Sequence, residues 1–243
     1  MLVVGIDLET DSSNPDRAAV IEFAAVLYDT DAGHPLKIIS SLINVERRLR
    51  PLPPHITGVT GITEEMLGRY GLLDEQYARI LCQIRDKMLC HTDVIVMHNG
   101  TQFDWQVLEL DLERYSIPDY LGKSKLIDTM TDVNYPSTVV YKNLTYIAAC
   151  HGILHSFAHR ALSDTFVMLQ VLQRYEVDSV LAAALTPMVS LRAHVKKNQR
   201  SLAKDYGFRY NYDENCFVKD MRLFYAEKAM TELPFEVSVM SDI

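Results

Sequence analysis

The run LVVGIDL at residues 2–8, followed at once by Glu9, Thr10 and Asp11, decides how this chain reads. A short apolar, β-branched stretch that ends abruptly in polar residues suits a strand buried in the middle of a sheet. Asp7 and Glu9 stand at the far end of that strand, and positions i and i+2 point to one face. Two carboxylates side by side repel each other, so each makes the other harder to ionise. At the C-terminal edge of a buried strand they sit where open α/β sheets form a binding crevice. Hard divalent cations take oxygen ligands of this kind. A lone Asp-Leu-Glu also ends strands for no chemical reason, so the pair needs company.

Outward from this strand the pattern stays regular. Residues 20–28 (VIEFAAVLY) and 36–45 (LKIISSLINV) read as further strands, joined by a turn over Asp29 to Pro35 that contains Asp31 and Gly33. A Pro-rich loop at 51–54 leads into HITGVTGIT at 55–63, where Thr63 followed by Glu64 and Glu65 predicts a capped helix start. Residues 75–89 place Ile80, Leu81, Ile84 and Met88 at helical core spacing. DVIVMHN (93–99) and KLIDTM (125–130) read as strands, and 101–115, 143–151 and 162–175 as helices. Three strands followed by alternating helices and strands predict an α/β mixed sheet with helices on both faces. Composition turns Ala/Leu-rich around Asp178 to Met188 and meets Pro187, which divides the chain into a main domain, 1–180, and a small module, 188–243.

The bulk numbers narrow the class. With 243 residues, 48% hydrophobic and 23% charged, the chain reads as globular rather than disordered. No apolar run reaches the ~20 residues that a membrane span requires, and the N-terminus lacks the basic start of a signal peptide. Cys82, Cys90, Cys150 and Cys216 fit no zinc-site spacing and read as reduced, mostly buried thiols of a cytoplasmic protein. The net charge of −8 is unevenly spread: residues 1–186 hold 15 Lys and Arg against 24 Asp and Glu, and residues 187–243 hold 9 against 8. The acidic part needs cations before it can meet a phosphate; the C-terminal part can meet one directly.

Two more groups keep Asp7 and Glu9 company. In MHNGTQFDWQVLEL (97–110) a buried strand ends at His98-Asn99-Gly100 and a helix begins, with Asp104 in its first turn. The helix dipole favours an acid there and by itself accounts for Asp104. Asn99 and Thr101 equally read as caps, and Phe103 as core or as a surface on which a base stacks. In AHRALSDT (158–165), His159 precedes a helix and Asp164 lies in its first turn. His151 and His155 lie close by, so a histidine here is not diagnostic alone.

In this order the three groups resemble the motifs of the DnaQ-like (DEDDh) family of 3′→5′ exonucleases, which run D-x-E, H-N-x-x-F-D and H-x-A-x-x-D. Here they are Asp7-Leu8-Glu9, His98-Asn99-Gly100-Thr101-Gln102-Phe103-Asp104 and His159-Arg160-Ala161-Leu162-Ser163-Asp164, and every functional position matches. HITGVTGIT resembles the loop between the family's first two motifs. The resemblance covers roughly residues 1–177. It implies an RNase H-like mixed five-stranded sheet flanked by helices, here followed by a small α+β appendage. It also implies that Asp7, Glu9, Asp104 and Asp164 hold two Mg²⁺ or Mn²⁺ ions, ~3.5–4 Å apart, that clamp the attacking and leaving oxygens. His159 would take the proton from the attacking water, and nucleoside 5′-monophosphates would leave. Leu8 and Thr10 would meet the terminal base and sugar, with Asn99 and Phe103 as further substrate contacts. The implied partners are single-stranded DNA 3′ ends and a polymerase or replication protein, in proofreading, repair or replication, with no membrane involved.

An exoribonuclease of the same family is the first alternative, since the motifs are blind to the 2′-hydroxyl. A non-catalytic polymerase-associated subunit is the second, and the intact five-residue set speaks against it. A plain nucleic-acid-binding module fits poorly with the acidic main domain. Glu22, inside an apolar strand, predicts a structural hydrogen bond rather than a metal ligand.

The tail carries its own signal. From Met188 to Lys204 there is no acid, yet Arg192, Lys196, Lys197, Arg200 and Lys204 occur. Residues 200–221 read as helix, Gly turn, strand, turn and strand, and 234–240 as one more strand. This is similar to a small tail on some bacterial and phage exonucleases of the family, loosely, because those more often carry Trp where Tyr210 and Phe217 stand here. Such a module reads either as a basic, aromatic platform for single-stranded DNA or a partner protein, or as a small core with a solvated charged face.

Overall fold

Nine residues at the start of the chain form the strand around which everything else is arranged. In the computed structural model, which describes residues 1–242, this is β1 (Leu2–Thr10). It pairs antiparallel with β2 (Val20–Asp29), which in turn pairs antiparallel with β3 (His34–Leu42). Three helices follow, α1 (Pro54–Thr60), α2 (Glu64–Tyr70) and α3 (Asp74–Lys87). The Thr63 hydroxyl accepts the Met66 N–H and so caps α2 as its sequence predicts. The chain then alternates: β4 (Val94–Met97), α4 (Asp104–Arg114), β5 (Lys125–Asp128), α5 (Leu144–Cys150), α6 (Ala161–Leu172) and α7 (Val177–Ala184). Strands β4 and β5 run parallel to β1, so the sheet has the order β3-β2-β1-β4-β5 and is mixed.

Alternation along β1 sorts its side chains between two apolar layers. Val4, Ile6 and Leu8 pack with Phe23 against α3 and α4, where Tyr77, Leu81, Ile84 and Leu108 are fully buried. Each such side chain contributes roughly 1.5–3 kcal/mol by leaving water. Val3 faces the other way, with Val26 and Tyr28, against Ile147, Val167 and Val171. Gly5, Asp7 and Glu9 share that second face by the same period of two. A Cβ at Gly5 would lie 2.8 Å from Leu169 Cδ1 and 3.0 Å from Thr165 Cγ2. Only the bare glycine lets α6 come down onto the sheet, and Asp164, one residue before Thr165, comes with it.

A second, four-stranded antiparallel sheet holds the C-terminal residues. Its strands are β6 (Met188–His194), β7 (Arg209–Asn211), β8 (Cys216–Arg222) and β9 (Glu236–Asp242), in the order β7-β8-β6-β9. Helix α8 (Arg200–Asp205) connects β6 to β7, and α9 (Leu223–Glu232) connects β8 to β9. Val189, Leu191, Phe208, Phe217 and Phe235 form its separate core. The pattern over 200–221 and 234–240 anticipates α8, β7, β8 and β9 but neither β6 nor α9. In β6 the alternation was present, with Val189, Leu191 and Ala193 buried and Arg192 and His194 exposed, under a basic charge that masked it. In α9 only Ala226 is fully buried, so its apolar face is faint.

Two unequal units also bear on the cysteines. Cys216 is buried and Cys82 half-buried, but Cys90 and Cys150 are exposed, which corrects the expectation of mostly buried thiols. Both exposed thiols sit where helices end, at the last residue of α5 and just beyond α3, where chain leaves the core. No helix among the described residues is long and apolar enough to cross a membrane.

Candidate active site

Three elements bring the predicted acids together. Asp7 and Glu9 lie on β1, Asp104 opens α4, and Asp164 sits in the first turn of α6. A 3₁₀ turn at Gly100–Gln102 delivers the chain from β4 to α4, and Asn99 before it adopts a left-handed backbone (φ 61°). Gly100 is required there, since a Cβ would fall 2.3 Å from that of Met97.

Asp128, which the sequence reading did not single out, fastens this turn. Buried at the end of β5, its carboxylate accepts the N–H groups of Asn99 (2.8 Å) and Thr101 (3.2 Å) and the Thr101 hydroxyl (2.9 Å). Asp128 in turn donates its own N–H to Asp132 (2.7 Å), and Asp132 is gripped by Arg222 of β8 at 2.6 and 2.7 Å. A hydrogen-bonded chain thus ties the second sheet to the turn that starts α4. His98 is fixed through Nδ1 to the Thr129 hydroxyl at 2.9 Å, and burial holds its pKa below the usual imidazole range.

Glu22 makes the structural hydrogen bonds that its place inside an apolar strand predicts. It stands opposite Glu9 in the β1–β2 register, where two glutamates would repel. Arg160 meets it with a fork, at 2.6 Å through Nη2 and 3.0 Å through Nε, and the Ala161 N–H adds a bond of 2.9 Å. Glu22 therefore anchors the start of α6 and the residues on either side of Arg160, including His159. Its predicted structural hydrogen-bonding role is what the structure displays.

His159 has a left-handed backbone (φ 62°), and its N–H points to Asp164 Oδ2 at 3.3 Å. One ligand atom each from Glu9, His159 and Asp164 lie within 4.8 Å of one another. The other oxygen of Asp164 accepts from His155 Nε2 at 2.9 Å, while the Thr145 hydroxyl stands 2.9 Å from His155 Nδ1. In the sequence His155 is one histidine among several, and its spacing from Asp164 carries no signal before the loop is folded.

The electrostatics follow from the crowding. Burial pushes the Asp7 carboxyl well above the usual carboxylate range, and the charges of Asp104, Asp164 and Glu9 push further in the same direction. Glu9 is pushed up to about 8, by burial first and then by Asp164, Glu22 and Asp104, with Arg160 opposing weakly. Asp104 is also raised by burial, against hydrogen bonds from its own backbone and that of Leu8. Four carboxylates therefore share a space whose neighbouring cation, Arg160, is already engaged by Glu22. That surplus of oxygen donors and of negative charge fits hard divalent cations.

The predicted substrate contacts are less uniform. Leu8 turns its side chain into the core and is 7% exposed, and Phe103 is half-buried against the same core. Thr10 lies at a bulge where β1 leaves β2, and its hydroxyl donates to the Ser12 carbonyl at 2.8 Å. Asn99 is exposed at the turn described above. Nearby, the irregular loop before α6 leaves Leu154 and Phe157 almost fully exposed.

Comparison with known proteins points the same way. The RNase_T family, described as Exonuclease, matches residues 4–172. A 3′-5′ exonuclease DinG of Staphylococcus saprophyticus is 26% identical over 213 residues, which is 86% of this chain and 22% of that protein. A PolC-type DNA polymerase III of Mycoplasma genitalium is 28% identical over 173 residues, or 68% of this chain and 11% of that protein. The chain therefore spans about a fifth or less of the length of these relatives. Among solved structures, E. coli Exonuclease I in complex with a dA16 oligonucleotide shares the fold, with a TM-score of 0.58 and 16% identity over 84% of this chain and 50% of that one.

Proposed function

Because the chain belongs to the RNase_T exonuclease family, we propose that it removes nucleotides from the 3′ ends of single-stranded DNA as a hydrolytic 3′→5′ exonuclease, with the reaction carried by residues 1–180. The observation that supports this most is the gathering of Asp7, Glu9, Asp104 and Asp164 around one small space with the His159 side chain at its edge. Divalent cations held there by the four carboxylates would supply the positive charge that an in-line displacement at phosphorus needs. Within that frame, a ring nitrogen of His159 accepts the proton of the attacking water. Asp164 keeps its place through His155, and His159 through the Arg160–Glu22 fork. Thr10, Asn99 and Phe103 contact the terminal nucleotide, with Leu8 the least accessible of the four. Residues 188–243 act as a separate module. The DinG and PolC relatives support a place in DNA repair or replication, beside a polymerase or replication protein.

A gel time course on 5′-labelled single- and double-stranded DNA, and on RNA of the same sequence, tests the reading with Mg²⁺, Mn²⁺ or chelator. Shortening from the 3′ end that stops on chelation is expected, with DNA the better substrate. Turnover indifferent to chelation would overturn it, and faster loss of RNA would move the substrate to the other nucleic acid.

A further inference from the structure

The C-terminal sheet carries a site of opposite sign to the first. We propose that the notch lined by Arg192, His194, Lys196 and Arg200, and walled by Tyr210 and Phe217, binds the phosphodiester backbone of a single-stranded nucleic acid. The proposal rests on the exonuclease reading in one respect: strand entering from a 3′ end being shortened must extend 5′-ward, and the notch holds that part.

The chain builds the notch by simple means. Along β6 the residues alternate, so Val189, Leu191 and Ala193 fill the core while Arg192 and His194 stand exposed. The strand then turns into α8 through Lys196 and Arg200, both exposed. Together these enclose a cavity of about 340 Å³, within the range of small-ligand sites. No acid lines it. Glu236 faces His194 across the ladder, which leaves Arg192, Lys196 and Arg200 to carry the charge. Among the described residues these three make no ion pair, whereas Arg209, Arg222 and Lys228 of the same unit pair with Asp220, Asp132 and Glu232. Exposed cations without partners hold mobile counter-ions, whose exchange for phosphates drives nucleic-acid binding.

The aromatic wall supplies the second half of the argument. Phe217 is buried, Tyr210 stacks edge-on against it at 5.2 Å, and Tyr212 against Tyr210 at 5.0 Å. The series climbs out of the core to Tyr212, which is 87% exposed. An aromatic face beside a cationic groove takes up unpaired bases without regard to sequence. The notch is also held in a fixed relation to the acidic site, because Arg222 locks onto Asp132, whose partner Asp128 organises the Asn99–Thr101 turn.

Fluorescence anisotropy of the full chain with a labelled oligothymidylate, in chelator so that nothing is cut, tests the notch apart from catalysis. Arg192→Ala/Arg200→Ala should bind about tenfold more weakly at low salt, and its log–log salt dependence should flatten by about 1.4, at ~0.7 per lost phosphate contact. Tyr212→Ala should weaken binding with the salt slope unchanged. Hydrolysis of a dinucleotide, too short to reach the notch, should proceed at the wild-type rate in both variants. A folded double variant with wild-type affinity and slope would overturn the proposal, even if the protein degrades DNA. A wild-type protein that binds as described yet shortens no nucleic acid would remove the exonuclease reading and leave the notch in place.

Discussion

The edge of the main sheet and the end of the small sheet, both proposed to meet a nucleic acid, carry opposite charge. At the first, burial raises the carboxyls of Asp7, Glu9 and Asp104, and the neighbouring acids of the site push Asp7 and Glu9 further. At the second, Arg192, Lys196 and Arg200 stand in solvent without acidic partners among the described residues. By charge alone a phosphate could approach the second site unaided, and the first only with cations between. The difference teaches that net charge is a poor guide to nucleic-acid chemistry, because an acidic site that takes cations performs what a basic patch cannot. In the proposed division of labour the arginines hold a phosphate and the crowded carboxylates, with cations, break its ester.

The comparison breaks most sharply at Asp7. Asp7→Ala should abolish cleavage while the protein stays folded, since it removes a ligand and relieves repulsion at once. Substantial turnover by a folded Asp7→Ala variant would end the account of the acidic edge. His159→Ala should slow cleavage by about 10²–10⁴-fold; an unchanged rate would assign the proton to another group.

Smaller effects sharpen the picture. Arg160→Ala should lower activity by about 10–100-fold, because Glu22 then faces Glu9 without its counter-charge and the start of α6 loosens. Arg160→Lys should recover only part of this, since the fork made by Nε and Nη2 is lost. Wild-type activity in the alanine variant would show that the fork positions nothing.

The smallest effect concerns stability. Glu9 titrates at about 8 in the folded chain, against ~4.3 for an unperturbed glutamate. The folded state therefore holds the proton more firmly than the unfolded one. Its contribution is complete below about pH 4 and is lost progressively as pH rises to about 8. In chelator, Glu9→Gln should melt close to wild type near pH 5 and a few degrees higher at pH 8 and above. Added Mg²⁺ should close that gap by raising the wild type. Parallel melting curves for the two proteins across this range would contradict the crowding.

Most of the main sheet was legible before folding. Each of β1, β2, β4 and β5 is an apolar run with sharp polar ends, and α3 shows its core spacing within four turns. The five proposed reacting side chains were legible for the same reason, since each lies at the end of a strand or the start of a helix where a local pattern changes. The groups that hold them were not. Asp128 looks like any acid at a strand end, Arg160 like a variable residue inside a motif, and His155 like one histidine among several. Their meaning lies in partners far along the chain, such as Glu22 for Arg160 and the Asn99–Thr101 turn for Asp128.

The chain alone determined which residues alternate, which helices are capped, and which five side chains form the motif set, because these depend on neighbours within a turn or a strand. Packing decided that Glu22 and Glu9 would oppose each other and need Arg160, that Gly5 would admit α6, and that Arg222 would reach Asp132 from a second sheet. It also decided that the cations of β6 and α8 would close around one notch. Such contacts join residues dozens of positions apart, and burial gives them their energy only once the two sheets and their helices have met.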